Sequence, residues 1–210
     1  MQYDWSSITS LAYLTLIEFD LREFPITANK IKCDGVKISS YQNYAKKTRL
    51  AIEEITLGNE LEDAFLFIIP PNPPIILYDR EKPITRQKHS LLHELGHIKL
   101  RHQKHGNDEE IEANFFAAQA NAPNVLIKNI AQRGYTIDVP FLMECFCLSE
   151  ESAKKKREYF NRWSFEHSNE YDDVVLTQFS EYINTKYPYK TQHFYDDGYF
   201  DELERKRENW

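Results

Sequence analysis

Residues 93 to 97 read HELGH, inside the longer run RQKHSLLHELGHIKLRHQ. Residues four apart on a helix are separated by about 40° around its axis, so His93 and His97 can turn their imidazoles toward one point. Zinc takes neutral nitrogen ligands at roughly 2.0–2.1 Å in a tetrahedral site. Glu94 falls beside the same point, placed to take a proton from a water activated there. The spacing is that of HExxH, and its chemistry is metal-assisted hydrolysis. Leu91, Leu95 and Ile98 repeat at helical spacing and bring the helix toward a core, where buried imidazoles need partners. Gly96 costs roughly 1 kcal/mol relative to Ala in a helix interior, which predicts another backbone packed closely against it. The plain alternative is an ordinary helix that happens to contain two histidines, and it leaves the glutamate between them unexplained.

A catalytic zinc has three protein ligands and one open position. The next helical stretch, EEIEANFFAAQANA, offers Glu109, Glu110 and Glu112. Three further histidines lie close in sequence. His89 precedes His93 by four residues and reads as a surface residue or a support for the ligands. His102 and His105 flank a loop and read as lying off the site.

HELGH followed by EANFFAA and then Pro123 resembles the ImmA/IrrE family of metallopeptidases. The likeness runs from about residue 10 to residue 165. FPITANKIKCDGVKISSY is similar to the family's N-terminal stretch, and IILYDREKPITRQKHSLLHELGH to the strand and approach segment before its metal helix. AQANAP departs from the more apolar ending usual there. The resemblance implies an α+β fold: a helix-rich, zincin-like metallopeptidase core with a small antiparallel sheet, followed by a small helix-turn-helix-like segment. It implies Zn2+ as cofactor, held by His93, His97 and Glu112, the residue directly before Ala113-Asn114, with Glu109 as the alternative third ligand. Glu94 is then the catalytic base, passing its proton to the leaving amine. Tyr78, ending the strand before the site, is a candidate oxyanion donor, and residues 75–78 are a candidate strand for pairing with an extended substrate. The expected activity is that of a site-specific endopeptidase acting on a regulatory protein, such as a phage or mobile-element helix-turn-helix repressor. The competing expectation is a non-proteolytic regulator that binds a repressor or DNA with zinc in a structural role.

Such a site needs elements to hold it. The chain has 210 residues, 41% hydrophobic and 14% aromatic, enough for a sizeable core, and only 6 glycines, which favours helices over many tight turns. Residues 7 to 22 read as a helix with Leu11, Leu14, Ile17 and Leu21 on one side. GVKISSY alternates like a short strand, YAKKTRLAIEEI is helical in character, and AFLFII and IILY read as strands separated by PPNPP. The expected division is a peptidase core over 1–124, a helix-turn-helix-like segment over 125–165 and an acidic, aromatic tail over 166–210. The tail holds 11 acidic and 5 basic residues with ten aromatic ones. Its charge favours solvation and its ring area favours docking, so it is expected to pack on the body or on a partner.

In the helical segment Ser149 is expected to cap a helix carrying Lys154, Lys155, Lys156 and Arg157. That basic turn is a candidate DNA-reading surface, but a net charge of −7 favours a solvated packing face. Cys33, Cys145 and Cys147 are odd in number and match no disulfide framework, as small apolar residues in a reducing compartment would. The start of the chain carries Asp4, Glu18 and Asp20 and has no basic leader before an apolar run. No apolar run approaches the roughly 20 residues of a membrane span, so a cytoplasmic location without a membrane partner is expected.

Overall fold

The computed structural model describes residues 3–56, 62–68, 71–104, 106–162 and 168–190. His105, His167, His193 and the last twenty residues of the tail lie outside the described residues. Helix α1 (Trp5–Glu18) starts at Asp4, whose carboxylate accepts from the Ser7 backbone N–H at 3.0 Å. Strand β1 (Lys37–Ser40) runs directly into α2 (Tyr41–Thr48), capped by Ser40, and α3 (Ile52–Ile55) follows after Arg49 breaks the helix at φ 61°. Strands β2 (Ala64–Phe67) and β3 (Ile75–Tyr78) flank the proline-rich turn. Helix α4 (Ile84–Lys99) carries HELGH, and α5 (Asn107–Asn121) carries the glutamates. Then come α6 (Asn124–Gln132), α7 (Val139–Phe146), α8 (Glu150–Arg162), α9 (Asp172–Gln178) and α10 (Ser180–Lys186).

The protein is α+β and helix-rich, with a sheet of three short strands ordered β1-β3-β2. The sheet is mixed. β2 and β3 pair antiparallel, Ala64 opposite Tyr78, as a turn-connected pair must. β1 pairs parallel with β3, Lys37 opposite Ile75, because the chain between them crosses over through α2, α3 and β2. β3 is therefore central, and its Ile76 and Leu77 are fully buried. α4 lies against β2 and β3, and α5 lies against both α4 and α1.

One apolar cluster runs from α1 through α4 and α5 to α10. The α1 face differs from the one expected. Ile8, Ala12, Tyr13, Thr15 and Leu16 are the buried residues, while Leu11 and Ile17 are only partly covered. α1 is packed between α5 and α9, and this second neighbour rotates the buried stripe. Gln178 of α9 donates from Nε2 to the Leu16 and Leu21 carbonyls at 2.9 and 2.5 Å. Val175, Phe179, Ile183 and Tyr187 are buried in the same cluster, so the described part of the acidic tail packs on the body.

Ser149 accepts from the Ser152 backbone N–H at 3.2 Å and starts α8. Of the basic turn behind it only Arg157 is exposed without an ion pair among the described residues. Lys154 pairs with Glu150 at 2.5 Å, Lys155 with Glu151 at 2.6 Å, and Lys156 is buried. All three cysteines are free thiols, Cys145 buried and the other two half-buried. No helix among the described residues is long and apolar enough to cross a membrane.

Candidate metal centre

α4 turns His93 and His97 the same way, as the four-residue spacing requires. Their Nε2 atoms stand 3.1 Å apart. A carboxylate from α5 completes the group, with Glu110 Oε2 3.2 Å from His93 Nε2 and Glu110 Oε1 3.4 Å from His97 Nε2. Among the described residues these three form the one cluster of donors suited to a metal ion. In a tetrahedral zinc site with ligands at roughly 2.0–2.1 Å, donor atoms stand about 3.3–3.4 Å apart. The Nε2 atoms at 3.1 Å, each with one Glu110 oxygen at 3.2 or 3.4 Å, are close to that edge.

The expected third ligand, Glu112, is not brought to this point, and neither is Glu109. Residues two apart on a helix point about 200° apart, so Glu110 and Glu112 cannot both face the histidines. The register is set by Gly96. A Cβ there would lie 3.1 Å from the Phe116 ring and 3.3 Å from the Ala113 backbone, so α4 and α5 touch at Gly96 and Ala113. Ala113, Ala117 and Ala120 are buried along that contact, and Glu110 is the preceding member of the same stripe. Glu112, directly before Ala113-Asn114, lies on another side of the helix. Glu109 turns toward the loop, 3.7 Å from Lys104.

Glu112 and His102 have a different place. His102 Nε2 stands 3.1 Å from Glu112 Oε2, and His102 Nδ1 stands 2.9 Å from His97 Nδ1. A carboxylate only accepts, so the neutral His102 ring carries its proton on Nε2 and accepts at Nδ1. His97 then donates from Nδ1, which leaves its Nε2 lone pair facing His93 and Glu110. This is the tautomer a metal ligand needs, fixed by the hydrogen bond on the other nitrogen. His102, expected to lie off the site, thus buttresses it; the distance between helix and loop that allows this is a tertiary property.

Glu94 lines a cavity of about 590 Å³ together with His93, Glu110, Glu62, His89 and Asn114. Burial, reinforced by the charges of Glu62 and Glu110, pushes its carboxyl up to about 8, and the Leu66 backbone N–H of β2 works against that shift. Asp63 on the cavity rim holds Arg86 at 2.6 Å and Lys82 at 3.6 Å. Tyr78 does not reach this cavity. It lines a separate one with Ile38, Ser40 and Asn43. β3 is also unavailable for substrate pairing, since β1 and β2 occupy both its edges. β2 has one edge unpaired among the described residues.

An HExxH helix, a second helix that brings a glutamate to the same point and a small sheet with an edge strand beside the motif glutamate define a zincin-like core. The family model described as the IrrE N-terminal-like domain, Peptidase_M78, matches residues 45–157, more than half of the chain, and the protein belongs to that family of metallopeptidases. The match takes in α3, β2, β3, α4, α5, α6 and α7, which include every donor of the cluster. No curated protein and no solved structure gives a significant match to the chain.

Proposed function

We propose that the protein is a zinc-dependent endopeptidase whose metal is held by His93, His97 and Glu110, with Glu94 as the general base. The observation that carries this reading is the convergence of two Nε2 atoms, 3.1 Å apart, on the two oxygens of the Glu110 carboxylate at 3.2 and 3.4 Å, with the Glu94 carboxyl lining an open cavity beside them. Zinc bound there supplies Lewis acidity to a carbonyl oxygen and makes water nucleophilic near neutral pH. Glu94 takes the proton of the attacking water and returns it to the leaving amine. The hydrogen bonds from Glu112 through His102 hold His97 in place. An extended peptide has the open edge of β2 to pair with, which puts its backbone beside Glu94.

A purely structural zinc has no use for Glu94 in the cavity. Nor does the geometry favour DNA as partner, since three of the four basic residues of the α8 turn are paired or buried and only Arg157 is left exposed without an ion pair among the described residues. The substrate proposed is a regulatory protein, a helix-turn-helix repressor encoded beside this gene, in the cytoplasm. The test is co-expression of that neighbouring protein with wild type and with Glu94→Gln. Cleavage by wild type alone supports the reading, and equal cleavage by both ends it.

A further inference from the structure

A second cavity, of about 480 Å³, lies between α5 and α8 beside the site cavity. His89 and Asn114 line both, so the two share a wall. The second cavity contains Lys156, which is 5% exposed. An ammonium has three donors. One reaches Gln119 Oε1 at 3.3 Å, and the Tyr159 ring face stands 5.7 Å from Nζ. Its neighbours Lys154 and Lys155 each have a glutamate one turn earlier; Lys156 has no carboxylate within ion-pairing distance among the described residues. Asn121 lines the same cavity, and its Oδ1 is buried without a hydrogen-bond partner.

Burying a cation without a counter-ion is costly, and a methionine would fill the same space without that cost. A buried lysine and an unsatisfied amide facing one cavity are groups arranged for something that enters it. The entrant must accept from an ammonium, be small enough for the cavity and lie next to the cleavage centre. We propose that this cavity is a substrate subsite that takes the carboxylate of an aspartate or glutamate side chain. Lys156 meets the charge, and the Asn121 amide, turned end for end, donates to the second oxygen. The shared wall places that acidic residue near the scissile bond in an extended substrate. The proposal rests on the peptidase reading for the origin of its ligand, but not for the existence of the binding site.

Two measurements on the full chain test it. In the first, lysines are labelled with 13C at Cε, the Lys156 signal is identified by its loss in Lys156→Met, and N-acetyl-glutamate amide is added to millimolar concentration. A saturable shift of that signal, absent with N-acetyl-glutamine amide, is expected. No shift, or the same shift with both, overturns the subsite. Should Lys156→Met not fold, through-bond correlation in wild type identifies the signal instead. In the second, zinc-loaded wild type and Lys156→Met are given a mixed peptide library. Wild type is expected to favour Asp or Glu at one position by tenfold or more, and Lys156→Met to lose that preference while still cleaving. Cleavage without an acidic preference overturns the subsite and leaves the peptidase reading standing. A saturable lysine shift with no peptide cleaved does the reverse.

Discussion

Glu110 and Glu112 sit two positions apart on α5 and face different histidines, so their loss should differ in kind. Glu110→Ala removes a donor and should abolish stoichiometric zinc binding, as His97→Ala should. Glu112→Ala leaves all three donors and frees only His102, so zinc affinity should fall by roughly 10–100-fold, the usual effect of losing a ligand's supporting hydrogen bond. Chelator competition on the purified variants gives the order, and a larger loss for Glu112→Ala would return it to the ligand set. Gly96→Ala tests the contact that sets this register. Ala gains roughly 1 kcal/mol of helix propensity, but its Cβ meets the buried Phe116 ring at 3.1 Å and the Ala113 backbone at 3.3 Å. Neither can yield easily, and overpacking typically costs 1–3 kcal/mol. A lower urea midpoint together with weaker zinc binding is expected, because the same shift moves Glu110 away from the histidines. A stabilised variant with unchanged zinc affinity would show that the two helices have slack.

At the scale of elements, the site depends on how α4 is held. Its Lys88 is fully buried and donates to the Phe146 carbonyl at the end of α7, where the helix dipole favours a cation. Burial lowers Lys88 to about 8 and Lys156 to about 7, against 10.5 for an ordinary lysine. Both folded values lie below the unfolded value, so the unfolded chain binds more protons between about pH 7 and 10.5. Stability from this source therefore rises with pH across that window, by up to roughly 1.4 kcal/mol per unit for each lysine. Burial raises Tyr13, Tyr41, Tyr182 and Tyr187, which gives the opposite slope above about 10. Glu94, raised to about 8, gives a falling slope up to that pH, so urea midpoints should climb from pH 8 to 9, and Lys156→Met should flatten the climb. An unchanged slope in that variant would mean that Lys156 is charged and solvated in the folded state.

Across the whole molecule, the C-terminal helices belong to the core that carries the site. Phe179 is fully buried, stacked 4.9 Å from Phe24, which in turn meets Phe146 at 4.9 Å. Phe179→Ala should cost about 3–5 kcal/mol, read by urea denaturation, with one zinc per chain retained, because no donor of the cluster lies beyond α5. Cutting the chain near Ser164 removes Val175, Phe179 and Ile183 together and should leave it unfolded rather than merely less soluble. Much of this protein can be read directly from its residues. HELGH specifies a helix with two imidazoles at one point, and Gly96 announces a close helix neighbour. The Ser149 cap and the aromatic content of the tail follow from local chemistry and composition. These are properties of short spacings, which a helix or a cap fixes within a few residues. What tertiary structure alone decided is which glutamate meets the histidines, that His102 backs His97, that β3 is central and that Lys156 is buried. Each of these depends on how two elements distant in sequence are rotated and spaced against each other. That rotation is chosen by the packing of the whole core, through contacts such as Gly96 on Ala113, and no single stretch of sequence contains it.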